Sequence, residues 1–214
     1  MSNVNEVFAL VGFFEIVLIL FMQWETYTKK IITTFSISSY VVAAFLFYLG
    51  ARQEAPYVLV LALITAFVRG FFIPWYMKRR IVRDHWRERE IKPVISTGLS
   101  IVISLLIVVF SYVLYRVTFY HSVHLVEGSI PMAMLLQGVF LIISRRNAFI
   151  QLVGYMVMEN ALFLFEGYLF PGLPFIVEAG VVLDLIGIVA VAGVVVRMMK
   201  DSSSDVGDFE ELKG

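Results

Sequence analysis

The 214-residue chain carries no net charge, with 17 basic and 17 acidic residues, yet 60% of it is hydrophobic and its mean hydropathy is +0.86. Soluble domains are about half apolar, so this composition excludes an ordinary cytosolic fold, and no nucleic-acid partner is expected. The absence of cysteine excludes a disulfide framework, thiolate iron–sulfur ligation and a thiol nucleophile.

Apolar runs long enough for a hydrocarbon core of about 30 Å fall at 7–22, 31–49, 56–77, 94–115, 128–143, 148–170 and 175–197. The expected fold is an all-α integral membrane protein with seven transmembrane helices. The first run has no basic n-region and no small-residue cleavage site, so it reads as a retained helix and not a signal peptide. With the next two runs it makes an N-terminal three-helix segment, 1–77. Pro74 lies within the third run, where it removes a backbone donor and frees a carbonyl, so a kink is expected over residues 69–72.

A basic cytoplasmic loop, 78–93, follows, in which "KRRIVRDHWREREIK" interleaves seven bases with three acids. It is expected to lie against anionic lipid headgroups, with docking of a soluble partner as its other use. Residues 94–127 hold the fourth helix and an outer loop with His121 and His124. Together with His85 these are all the histidines, each in a loop, so no metal or haem site is expected. Residues 128–199 form a three-helix segment, and 200–214 a polar cytoplasmic tail.

Charge placement sets the expected orientation. Assigning alternate loops to opposite sides collects fourteen bases on one face, among them Lys29, Lys30, Arg145, Arg146 and Arg197, against Arg52 and Arg116 on the other. The positive-inside rule then puts the N-terminus outside and the C-terminus in the cytoplasm, in the cell membrane.

Several ionisable residues remain at membrane depth, where a charge costs at least ~2.5 kcal/mol and is a functional candidate by default. They are Glu15 in the first run, Arg69 in the third, Glu159 and Glu166 in the sixth, and Glu178 and Asp184 in the seventh. Glu166 and Glu178 stand nearer the outer interface, where solvation is the plainer account. Arg69 is about 14 Å along the helix from Lys78 and Arg79, a long reach for snorkelling. An ion pair tying two helices together, with Glu15 as one possible partner, is its plain structural role. Glu159 and Asp184 are far from any basic loop, and carboxyls so placed can take up and release protons, as a relay requires. Asn160 beside Glu159 adds a donor and an acceptor but projects about 100° away around the helix, which also suits helix packing.

The stretch "RRNAFIQLVGYMVMENALFLF" with "VEAGVVLDLIG" resembles hydrogenase-4 component E, a membrane subunit of multisubunit membrane-bound hydrogenases. The likeness rests on Arg146 and Asn147, Gly154 and Tyr155, Met158 to Asn160, and Glu178, Gly180 and Asp184; Arg69 and Pro74 are similar to a basic residue and proline of the third helix. The last three helices are also similar to the K subunit of respiratory complex I and the C subunit of multisubunit cation/proton antiporters. The carboxylate of those relatives falls here on Met156, one turn before Glu159.

The resemblance implies a non-catalytic subunit of a membrane-bound hydrogenase or related redox complex, with Glu159, Asp184, Glu178 and Arg69 on a proton or ion pathway and Asn160, Glu166 and Glu15 as secondary candidates. It implies no cofactor in this chain, and iron–sulfur clusters and a nickel–iron centre in partner subunits. The implied partners are antiporter-like and complex I H-subunit-like membrane subunits, a peripheral cytoplasmic redox module and lipids. The competing readings are a free-standing seven-helix transporter and a subunit of a cation/proton antiporter without redox activity.

Overall fold

A computed structural model of the protein describes residues 2–83, 94–119 and 128–169, together with Gly187 and Gly193. The described residues are helical almost throughout: α1 Ser2–Trp24, α2 Thr28–Arg52, α3 Pro56–Ile64, a π-helical stretch Thr65–Phe72, α4 Ile73–Arg83, α5 Thr97–Phe119, α6 Ser129–Ser144 and α7 Ala148–Leu169. Five stretches are long and apolar enough to cross a membrane, namely Val4–Trp24, Thr28–Arg52, Pro56–Ile81, Thr97–Thr118 and Ala148–Glu166. This is a multi-pass membrane protein. The shorter α6 has 16 residues, about 24 Å at helical rise, and packs among α1, α5 and α7. Of the seventh expected run, 175–197, only Gly187 and Gly193 are described.

The third crossing is one continuous rod made of α3, the π stretch and α4. In lipid every backbone polar group needs an internal partner, and Pro74 leaves the Gly70 carbonyl without its usual donor. The Ser36 hydroxyl on α2 donates to that carbonyl instead. Just before the proline the Ile73 N–H bonds back five residues to the Val68 carbonyl, the wider turn of a π-helix. A Cβ on Gly70 would lie 2.8 Å from the Tyr40 ring, so glycine lets the π stretch press directly on α2.

Helix α2 is the hub, touching α1, α3, the π stretch, α4 and α7. Its turn into α3 closes with the Ala55 N–H on the Gly50 carbonyl while Glu54 takes φ 52°, the left-handed position that glycine favours. The closest pairing is α6 on α7, at Gly138 and Gly154, where a Cβ on either would sit 2.7–2.8 Å from the other's carbonyl oxygen. By contrast α5 is peripheral, with 17% of its membrane window buried, and Leu106, Val109, Phe110 and Val117 form the apolar outer surface that lipid tails suit.

The first residues of the basic loop, 78–83, continue α4 as helix; residues 84–93 lie outside the described residues. One expectation from charge placement gains a second side. Arg145, counted among the bases of an inner loop, is buried, and donates to the Met22 and Gln23 carbonyls at 3.4 and 2.5 Å. It thus serves the last turn of α1, where unsatisfied carbonyls attract a cation. Nearby, the Asn147 side chain accepts the Phe149 N–H at 2.9 Å and donates to the Thr28 hydroxyl at 3.2 Å, capping α7 against the start of α2.

Replacing Gly154 by valine is expected to wedge α6 from α7 and cost about 1–3 kcal/mol, read as a lowered unfolding midpoint in detergent. Glu54→Gly is expected to raise that midpoint, by roughly 0.5–1 kcal/mol, since it relieves a left-handed position.

Candidate functional site

At the centre of the bundle the π stretch carries Arg69 against α7. Both Arg69 and Glu159 are essentially inaccessible, at 0% and 1% exposure. The Arg69 Nη2 lies 2.7 Å from Glu159 Oε2, and its Nη1 donates to Asn160 Oδ1 at 3.0 Å. A planar guanidinium fork spans two neighbouring acceptors that a single-point cation could not serve together. The Phe163 ring, one turn further along α7, lies under the guanidinium at 4.2 Å and adds a cation–π contact.

Asn160 projects away from Glu159 around the helix, as expected, but the two side chains straddle one guanidinium. The Asn160 amide then donates to the hydroxyls of Ser38 and Ser39 on α2, at 3.4 and 3.2 Å. Ser38 in turn donates to Glu15 Oε2 on α1 at 2.6 Å. A buried polar line therefore crosses three helices and the π stretch. Arg69 does form an ion pair, but with Glu159; Glu15 is reached only through Asn160 and Ser38.

Of the remaining candidates, Glu166 is buried on α7, two turns from Glu159, and its Oε2 has no hydrogen-bond partner among the described residues. Pro74 stands in the first turn of α4, directly after the π stretch. Glu178 and Asp184 lie outside the described residues, as do His85, His121 and His124. Gly187, in the same expected run as Asp184, is described: a Cβ on it would lie 3.6 Å from the Tyr155 ring and 4.0 Å from Glu159 Oε2. Met156, where related subunits carry their acid, is fully buried in the apolar core. Among the described residues no group of three or more potential metal ligands occurs.

The sequence reading missed Ser36, Ser38 and Ser39. Their signal was available: "SISS" is a run of hydroxyls inside an otherwise apolar membrane helix. It also missed Phe163, which composition alone cannot separate from the other 18 phenylalanines.

Chemically, the arrangement holds one permanent cation against a carboxylate in a site closed to solvent. Arginine does not lose its proton, so the carboxylate is the member of the pair able to change charge. Arg69→Met is expected to destabilise the protein by about 3–5 kcal/mol, because it leaves Glu159 as an uncompensated buried charge, and Arg69→Met with Glu159→Leu is expected to recover much of that loss. Unfolding midpoints of the two variants in one detergent check this.

Over 192 residues the chain is 23% identical to a protein of Mycobacterium tuberculosis, the uncharacterized protein Rv0085, a match that takes in 89% of this chain and 87% of that one. The similarity thus runs along nearly the whole chain and is not confined to its last three helices. No family model and no solved structure matches it.

Proposed function

We propose that this chain is a non-catalytic membrane subunit of a membrane-bound hydrogenase or related complex I-like redox complex, and that its buried acids form part of a proton or ion coupling pathway. The observation that carries the reading is the buried Arg69–Glu159 pair, set at a π-helical break in a membrane-crossing helix. Such breaks recur at functional sites, and an intramembrane ion pair is expensive to keep for packing alone. The sequence resemblance in the last three helices supports the same reading.

In this reading the chain crosses the cytoplasmic membrane seven times with its N-terminus outside. Glu159, Asp184 and Glu178 exchange protons, and Arg69 sets how readily they do so. Electrons move elsewhere, through iron–sulfur and nickel–iron centres of partner subunits. Charge changes at Glu159 pass between a peripheral redox module and the antiporter-like subunits. The π-helical stretch in the third crossing also suits a second reading, a free-standing transporter or a cation/proton antiporter subunit, because such departures from the α-helix recur at functional sites.

Purification of the tagged protein from mild detergent, with partners identified by mass spectrometry, separates the two. Redox subunits and antiporter-like subunits in fixed proportion are expected; antiporter subunits alone, or the chain alone under conditions that preserve other complexes, would favour the second. Glu159→Gln keeps the shape of the site and one oxygen that can accept from Arg69 but removes the ionisable group, so it is expected to assemble while ion-coupled turnover falls on the order of tenfold or more. Full coupling in Glu159→Gln would remove Glu159 from the pathway.

A further inference from the structure

The site contains one more acid than the Arg69–Glu159 pair requires. Glu15 is fully buried on α1, and its one hydrogen-bond partner among the described residues is Ser38. The directions of the bonds from Arg69 through Asn160 to Ser38 follow from chemistry. A guanidinium only donates, so Asn160 must turn its Oδ1 toward Arg69, at 3.0 Å. Its amide nitrogen then has to face Ser38 and Ser39. The Ser38 oxygen, having accepted, directs its own proton to Glu15 Oε2 at 2.6 Å. All the donors point away from Arg69, and the line ends on a carboxyl oxygen.

We propose that Glu15 is a second proton-exchanging acid of this site, tied through Ser38 and Asn160 to the guanidinium that Glu159 contacts directly. This rests on the reading of Glu159 as an acid that changes protonation, not on the identity of the complex. One guanidinium balances one carboxylate. Two ionised acids around it would leave excess negative charge in a low-dielectric interior, so the pair of acids shares one proton. A proton gained by Glu159 leaves the charge of Arg69 to be balanced from Glu15. Aligned dipoles along Asn160 and Ser38 carry that bias, since bonds in a buried chain polarise one another. The coupling is one of charge: no proton passes through Asn160 or the guanidinium, neither of which takes one up at neutral pH.

Among the described residues, the helices packed against α1 carry their cations only in their first or last turns. Of the helices packed against α1, α6 has no ionisable side chain, and α5 has Tyr112, Tyr115 and Arg116 in its last turns. Helix α2 has Lys29, Lys30 and Arg52 in its first and last turns, with Tyr40 and Tyr48 between them. Glu6 is the other acid of α1, near its start. Beyond Asn160 the line meets Arg69 and Glu159, with Glu166 further along α7.

The test is infrared spectroscopy of the purified full-length protein at neutral pH in H2O and D2O. The wild type is expected to show a deuterium-sensitive carboxylic-acid carbonyl band with a component that Glu15→Gln abolishes. Ser38→Ala keeps the acid but removes its donor, so it is expected to shift that component; this variant decides the matter if Glu15→Gln fails to accumulate. Glu159→Gln takes away the direct countercharge of Arg69 and is expected to diminish the Glu15 component at the same pH. An unchanged band in Glu15→Gln, or an unshifted one in Ser38→Ala, would overturn the assignment; a Glu15 component indifferent to Glu159→Gln would overturn the coupling. Failure of the Glu159 role itself is seen separately, as full ion-coupled activity in Glu159→Gln.

Discussion

A guanidinium that cannot lose its proton lies in the middle of a bundle of apolar helices, and much of the interior is arranged to answer it. Arg69 has five donors and no acceptor, so its neighbours must supply oxygen lone pairs or a π face. Helix α7 supplies a carboxylate, an amide oxygen and an aromatic ring from Glu159, Asn160 and Phe163. Those three positions fall on one side of about one helical turn, which pins the rotation of α7 about its axis. Its other side is then committed to α6, where Gly154 meets Gly138. A single charge thereby sets the facing of the most closely packed pair of helices.

The π stretch Thr65–Phe72 is the matching adjustment on the other partner. Pro74 cannot donate, and a carbonyl without a donor is costly where no water is available. Ser36 meets that need from α2, and Gly70 allows the approach that brings the hydroxyl within range. The segment carrying Arg69 is therefore held by side-chain chemistry as well as by its own backbone ladder.

The two polar regions of the structure do different work. At one end of the bundle Arg145 and Asn147 satisfy the end of α1 and the start of α7, which is the ordinary capping that helix termini demand. The line from Glu159 to Glu15 satisfies no helix end. It joins side chains in the middles of helices, where backbone groups already have partners, and so it adds cost without capping anything. That contrast separates ordinary helix capping from the buried line on which the proposed coupling role rests.

Hydropathy determined a great deal by itself, since a run of apolar residues bounded by charge has few alternatives to a membrane helix, and six of the seven expected runs correspond to described helices. It also singled out Arg69, Glu159, Asn160 and Glu15, because a polar side chain at lipid depth stands out against its neighbours. What it could not decide was pairing. Spacing along one helix says which residues share a face but not which face meets which helix. For that reason Glu15 stood as one candidate partner for Arg69, Ser38 and Ser39 passed unnoticed, and Arg145 was counted only among the bases of an inner loop. Tertiary packing decided all three: the close approaches at Gly70, Gly138 and Gly154 place the helices, and only then does a donor find its acceptor within hydrogen-bonding distance.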